Sequence, residues 1–321
     1  MRFSVIIPLF NKAPYVAKAI QSVLAQTFTD YELIVMDDGS QDESFSIALK
    51  AIEGHGHCHI YRQKNAGVSM ARNNGVALSQ GEYLCFLDAD DWWDPIFLEK
   101  MSKLIDEFPE AGVYGANYTI VNETKHKTRV AKIGVEEGFE KGYINYCKAY
   151  ASTMYMPLTS ISVSISRRVF EEMGGFPKGI KLGEDFLLWI RIALKYKVAF
   201  LNKSLAYYNQ DVDVANRGTN HLHRPEENML WNLGFLEGEE ITNRDYKHLI
   251  DNLRSYGLLP YYLEKRYRAV AQEELDKVDW DRQPASFKLY QCPVWLLKMR
   301  SKLMKMGSWI KQRLIPINRG I

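Results

Sequence analysis

The 321-residue sequence predicts an α/β fold: an open, mainly parallel, Rossmann-like sheet flanked by helices, with a helical C-terminal extension. Three observations carry this expectation. Apolar, strand-like runs alternate with helix-period segments from Phe3 to Asp91, as βαβ units require. The run Tyr83-Leu84-Cys85-Phe86-Leu87 is apolar throughout, which suits a strand covered on both faces. Two predicted strands end in carboxylates, Asp37-Asp38 and Asp88-Ala89-Asp90, and ligands of open α/β sheets bind just beyond such ends.

In chain order, residues 3–9 read as a first strand, and residues 15–25 carry helical apolar spacing. Residues 32–36 form a second strand running into Asp37-Asp38-Gly39-Ser40. A helix over 44–52 and a strand over 59–62 follow, then a helix capped by Ser69 and reaching Leu78. Gly81 precedes the acidic strand at 83–87. Residues 112–129 read as a strand and hairpin, and Ser160-Ile-Ser-Val-Ser-Ile-Ser166 alternates as a strand. Phe186 begins a helix through Leu194. The stretch from Tyr207 to Arg217 reads as a lid after the last sheet strand, with Arg217, Asn220, His221 and His223 either near a diphosphate or acceptor or in a plain polar loop. Residues 226–281 look like charged amphipathic helices with Trp231, Leu233 and Phe235 turned inward.

Asp-x-Asp occurs about once by chance in such a chain, so position selects among its three copies. Asp211-Val-Asp213 and Asp279-Trp-Asp281 follow no comparable apolar strand; Asp88-Ala-Asp90 does. Carboxylates held there suit a hard divalent cation, which takes oxygen ligands and bridges to substrate phosphate. The usual glycine-rich dinucleotide and P-loop signatures are absent, which leaves a metal held by acidic residues to manage a diphosphate.

Ordered motifs extend this reading. Val5-Ile-Ile-Pro-Leu-Phe-Asn-Lys12, Val35-Met-Asp-Asp-Gly-Ser-Gln-Asp42 and Asn65-Ala-Gly-Val-Ser-Met-Ala-Arg-Asn-Asn74 precede the acidic strand. Gly174-Gly-Phe176 and Gly183-Glu-Asp-Phe-Leu-Leu-Trp-Ile-Arg-Ile192 follow it. Together they resemble the inverting, non-processive family-2 glycosyltransferases of GT-A fold over the first two-thirds of the chain.

The resemblance implies transfer of a sugar from a nucleotide-sugar donor, usually a UDP-sugar, to a glycan or lipid-linked acceptor. It places Pro8 and Phe10 against the nucleobase, Asp38 near uracil and Arg72 near base and ribose. Asp88 is then in the ribose or metal shell, and Asp90 binds Mn²⁺ or Mg²⁺. Many relatives have Tyr at the Phe10 position; stacking survives that change, a phenolic hydrogen bond does not. Asp185 maps to the general base, with Glu184 as an acceptor-binding or orienting neighbour. Such a base contributes about 10²–10⁴-fold. Residues 1–222 are then the catalytic domain, with a nucleotide-binding half (1–110) and an acceptor half (111–222). Residues 223–321 are the helical extension.

A glycoside hydrolase needs paired carboxylates but leaves Asp38 and Asp90 without purpose. A sugar nucleotidyltransferase usually begins with a glycine-rich loop, which Asn11-Lys-Ala-Pro14 is not. A catalytically silent, membrane-associated scaffold of the same fold is the alternative, but it has no need of Asp38, Asp90 and Asp185 together. The processive Gln-x-x-Arg-Trp signature is absent, which favours one sugar per encounter.

With 46% apolar residues the chain has ample material for a core. Cysteines 58, 85, 147 and 292 show no paired spacing, as expected of reduced thiols in the cytosol. His55, His57 and His59 fall across a turn and the start of a strand rather than along one regular element, which makes a poor metal site. Neither a signal sequence nor a run of about 20 apolar residues is evident.

The net charge of +2 hides a tail of +9 after Asp281 against −7 for residues 1–281. Trp295, Leu296, Met299, Leu303, Met306, Ile310 and Leu314 recur at helical spacing between lysines. A basic amphipathic helix over 290–321 suits the inner face of an anionic membrane, or else packs on its own domain. Nucleic-acid binding is not expected, because the front of the chain already reads as an enzyme.

Overall fold

The computed structural model describes residues 1–211 and 222–299. Arg217, Asn220, His221 and the tail beyond Met299 lie outside the described residues.

The chain opens with β1 (Phe3–Leu9), α1 (Val16–Leu24), β2 (Tyr31–Asp37), α2 (Ser44–Ala51), β3 (Cys58–Arg62), α3 (Val68–Leu78) and β4 (Tyr83–Phe86). Then come β5 (Trp92–Trp93), α4 (Phe97–Glu107), β6 (Ala111–Asn122), β7 (Lys127–Val130), β8 (Lys141–Ile144) and α5 (Tyr146–Thr153). The sheet is completed by β9 (Val163–Ser166), α6 (Arg167–Glu172), α7 (Glu184–Lys195) and β10 (Lys197–Asn209). Further helices among the described residues include α8 (Glu237–Thr242), α9 (Arg244–Gly257), α10 (Leu259–Leu263), α11 (Arg268–Leu275) and α12 (Pro284–Tyr290).

All ten strands belong to one sheet, ordered β3-β2-β1-β4-β9-β6-β10-β5, with β7 on β6 and β8 on β10. The first four run parallel, and every residue of β1 and β2 is buried, as their mainly apolar sequences require; the polar Ser4 and Glu32 are buried as a hydrogen-bonded pair. Beyond β4 the sheet becomes mixed: β9 runs antiparallel to both β4 and β6, while β10 runs parallel to β6. Phe3, Val5, Ile7 and Leu9 on one face of β1 join Val16, Ile20 and Val23 of α1 in the main core. The chain divides into two compact units, residues 1–249 and 250–321. Within the second, buried Arg254 pairs with Glu274 at 3.1 Å, and the Tyr290 hydroxyl donates to the Ser255 carbonyl at 3.0 Å. Among the described residues, no helix is long and apolar enough to cross a membrane, and all four cysteines are free.

Four local expectations are corrected. Ser69 does not cap α3: the helix starts at Val68, Gly67 is the N-cap at φ +88°, and Ser69 is buried within the first turn. Glycine takes that left-handed backbone without strain, and this outweighs the serine's capping tendency. Ser160–Ser162 is a single 3₁₀ turn rather than strand, so only Val163–Ser166 pairs. The lid does not begin at Tyr207, because Tyr207, Tyr208 and Asn209 pair with Thr119, Ile120 and Val121. Phe235 does not face inward: it is 55% exposed in a 3₁₀ turn, and the Arg191 guanidinium stands over its ring.

Candidate active site

Three neighbouring strands bring their carboxyl ends to one edge of the sheet. Register pairs Leu9 with Asp37 and Ile6 with Phe86, so the turns at residues 11–13, 38–42 and 88–91 emerge together. The first turn is clamped to the second. Asn11 adopts the left-handed region (φ +50°), donates its N–H to Ser40 Oγ at 3.1 Å and accepts from the Gln41 N–H at 2.9 Å. The Lys12 N–H donates to Ser44 Oγ at 2.7 Å, and the Ala13 N–H to Asp42 at 3.1 Å. Pro8 is buried in β1, and Phe10 stands at the edge with 43% of its surface exposed.

Asp37 and Asp38 are both buried, and both are bonded to protein donors. Asp37 accepts from Arg62 Nε at 2.6 Å. Asp38 accepts from Gln63 Nε2 at 2.7 Å and from the Ala66 and Gly67 N–H groups at 2.8 Å each. It thereby fixes the turn that launches α3.

The acidic turn after β4 has three distinct environments. Asp88 is one-third exposed and meets Arg72 at 2.7 Å. Asp90 pairs with Lys12 Nζ at 2.7 Å, and both side chains are mostly covered. Burial raises the Asp90 carboxyl above the usual range, while the Lys12 ammonium opposes that rise. Asp91 is buried and accepts from the Asn209 N–H at 2.7 Å, which ties the turn to the end of β10. Burial, then the charges of Asp90 and Asp88, push it well above the carboxylate range, and its Oδ2 has no hydrogen-bond partner.

Arg72 joins this edge to a distant part of the chain. Its Nη2 donates to Asp88 and its Nη1 to Glu184 at 2.9 Å, a residue 112 positions away. The side chain is 4% exposed, and Phe176 lies under the guanidinium at 5.0 Å. Burial disfavours its charge, but Asp88 and Glu184 outweigh that and hold it above the ordinary arginine value.

Glu184 and Asp185 form the first turn of α7, where the helix dipole favours negative charge. The preceding Gly183 has φ +82°, and any Cβ there would strike the Met229 side chain. Asp185 Oδ1 accepts from the Phe186 N–H at 2.7 Å. Its pKa is lifted to about 7, mainly by burial, then by repulsion from Glu184, against the pull of Arg72.

Arg72 thus gathers Asp88 and Glu184, with Asp185 close enough to act on its charge, and Asp90 shares the acidic turn with Asp88. Comparison with known proteins gives the arrangement a family. The model of glycosyl transferase family 2 matches residues 4–170, more than half of the chain. This chain belongs to glycosyl transferase family 2.

Among family 2 relatives, it is 33% identical to the glycosyltransferase GlyA of Streptococcus pneumoniae over 214 residues, covering 64% of this chain and 30% of GlyA. It is 29% identical to an uncharacterized glycosyltransferase of Rickettsia typhi over 215 residues, covering 67% and 63% respectively. The chain thus spans less than two-thirds of the length of either protein. Among solved structures, S. aureus TarS in complex with UDP-GlcNAc superposes with a TM-score of 0.70 at 19% identity, covering 86% of this chain and 78% of that one. The mannosyltransferase PcManGT of Pyrobaculum calidifontis, in complex with GDP-Man and Mn²⁺, gives 0.51 at 16% identity, covering 86% and 85%. This likeness is one of fold, and the fold is GT-A-like.

Among the described residues, no group of three or more His, Cys, Asp or Glu is arranged to hold a metal ion. The donor set instead fits the mode in which one or two carboxylates bind the cation and substrate phosphates complete the shell.

Sequence reasoning missed two features of this family 2 site. Lys12 pairs with Asp90 because β1 and β4 are sheet neighbours, a strand order that the motifs alone did not fix. Tyr146 and Tyr150 of α5 pack 6.0 Å apart, and Tyr150 meets Phe186 at 6.2 Å. Burial raises both phenols, and the nearby Asp185 charge adds to the effect. Their aromatic-rich segment was visible in the sequence, but its approach to α7 was not.

Proposed function

We propose that this chain is an inverting, non-processive glycosyltransferase that moves a hexosyl or N-acetylhexosaminyl group from a UDP-sugar to a glycan or lipid-linked acceptor. The observation that carries the reading is the Arg72 bridge, which brings Asp88 of the acidic strand end beside Glu184, next to Asp185. TarS, a protein of the same fold solved with UDP-GlcNAc, adds support for the donor class.

In this reading residues 1–110 bind the nucleotide, residues 111–222 face the acceptor, and residues 223–321 are the helical extension. Phe10, exposed beside Pro8, offers a ring to the base, and Asp38 shapes the neighbouring turn. Asp90, with Asp88 beside it, holds Mn²⁺ or Mg²⁺. A divalent cation bound there supplies Lewis acidity toward the departing nucleoside diphosphate. Asp185 takes the proton from the attacking hydroxyl, and its pKa of about 7 suits that role. Glu184, fixed by Arg72, orients the acceptor. Asp90→Ala is expected to weaken Mn²⁺-dependent UDP binding by at least about 100-fold. Titration calorimetry with and without Mn²⁺ checks this, and unchanged Mn²⁺-dependent affinity removes the ligand role.

The further reading is work at the cytoplasmic face of a bacterial membrane, extending a surface polysaccharide such as lipopolysaccharide or capsule. Trp295 (66% exposed), Leu296 and Met299 present apolar surface just before the basic tail. Removing residues 300–321, a cut that leaves buried Tyr290 in place, is expected to release the protein from vesicles containing anionic lipid. Equal sedimentation of both forms with the vesicles speaks against a membrane contact.

A further inference from the structure

The ion pair between Lys12 and Asp90 has three properties that an ordinary surface pair lacks. Both partners are mostly covered, with 17% and 19% of their side chains exposed. The backbone from which Lys12 projects is immobilised by the four hydrogen bonds that clamp residues 11–13 to the turn after β2. The neighbouring carboxylates are bonded elsewhere, Asp88 to Arg72 and Asp91 to the Asn209 N–H, so the ammonium serves Asp90.

The two cations at this edge differ in what they can do. The Arg72 guanidinium is forked between Asp88 and Glu184, and a planar fork so held cannot leave one acid without disturbing the other. The Lys12 ammonium is a compact charge on a flexible four-carbon stem. It can leave Asp90 by side-chain rotation alone while its backbone stays in place.

We propose that Lys12 is a resident counter-cation of the metal position: it occupies the Asp90 oxygen that a divalent cation needs and yields it when a metal–nucleotide complex enters. This rests on Asp90 being the metal ligand, as proposed above. A free metal ion must compete with an ammonium tethered at high effective concentration, and it gains only carboxylate and water in return. An ion carried by a diphosphate brings further oxygen ligands of its own. The displaced ammonium is then available to the diphosphate as a charge-assisted hydrogen-bond donor. Loading is therefore ordered, with metal arriving on the nucleotide rather than before it.

The test measures binding of Mn²⁺ alone, by the loss of the free-ion signal in electron paramagnetic resonance. Lys12→Met keeps the stem and removes the charge. It is expected to bind Mn²⁺ without nucleotide at least about tenfold more tightly than the wild type, because the carboxylate is left without its cation. Adding Asp90→Asn to that variant is expected to abolish the gain. Equal or weaker Mn²⁺ binding by Lys12→Met overturns the proposal, as does a gain that survives Asp90→Asn. Wild-type protein is titrated in parallel with UDP present. Mn²⁺ uptake there with no gain in Lys12→Met discards the role of Lys12 alone, whereas absence of uptake discards the metal site with it.

Discussion

Asp185→Asn is expected to slow sugar transfer by about 10²–10⁴-fold with little change in nucleotide-sugar affinity. A base that acts on the acceptor hydroxyl as it attacks, the role proposed for Asp185, contributes to turnover rather than to donor binding. Near-normal turnover in a donor-saturated assay excludes it as the base. As the proposed base with a pKa of about 7, Asp185 is expected to make the wild type lose activity as pH falls through 7. Stability gives a second readout of opposite sense. The ordinary value of this carboxyl is 3.8, so between about 4 and 7 the folded chain holds a proton that the unfolded chain has released. Asp185 therefore makes the native state less stable as pH rises across that window, and its effect is constant above it. Asparagine has no such proton, so the melting temperature of the variant relative to the wild type is expected to rise from pH 4 to 7 and then level off. A difference that shrinks across that range contradicts the assigned shift.

Arg72→Met is expected to cost about 3–5 kcal/mol of stability, because it leaves Asp88 and Glu184 facing one another without their shared cation. Urea denaturation measures the loss. Adding Glu184→Gln to Arg72→Met is expected to restore part of it, since one of the stranded charges is then gone. Arg72→Lys is expected to recover less than the full amount, because a single ammonium cannot fork between two acids as the guanidinium does. A loss below about 1 kcal/mol for Arg72→Met places the pair in the range of exposed surface bridges and removes Arg72 as the element that positions α7.

The parts of the fold that were legible in the sequence are those whose residues answer to one local rule. β1, β2 and β4 are mainly apolar runs, and α7 follows a glycine with carboxylates in its first turn. The acceptor half obeys no such rule. Ser160-Ile-Ser-Val-Ser-Ile-Ser166 alternates perfectly, yet its first three residues turn as 3₁₀ because the chain must enter the sheet antiparallel between β4 and β6. Tyr207-Tyr208-Asn209 looks like loop composition, and only pairing with β6 makes it strand. At the site, Asp88, Asp90, Arg72, Glu184 and Asp185 stood out in the sequence, but the ion pairs among them did not. Lys12 carries no role in its motif, and Arg72 is expected near base and ribose; only sheet order and helix packing bring Lys12 to Asp90 and Arg72 to Asp88 and Glu184.

The clamp between residues 11–13 and the turn after β2 bears on how tightly a nucleotide can be held. Fixing the backbone of a residue costs about 1–2 kcal/mol of conformational entropy. In a rim that ordered only around its guest, that loss would be subtracted from the affinity. Here Ser40, Asp42 and Ser44 impose it during folding. The rim is thus preorganised, and the base contact proposed for Phe10 would translate into grip with little deduction for loop ordering.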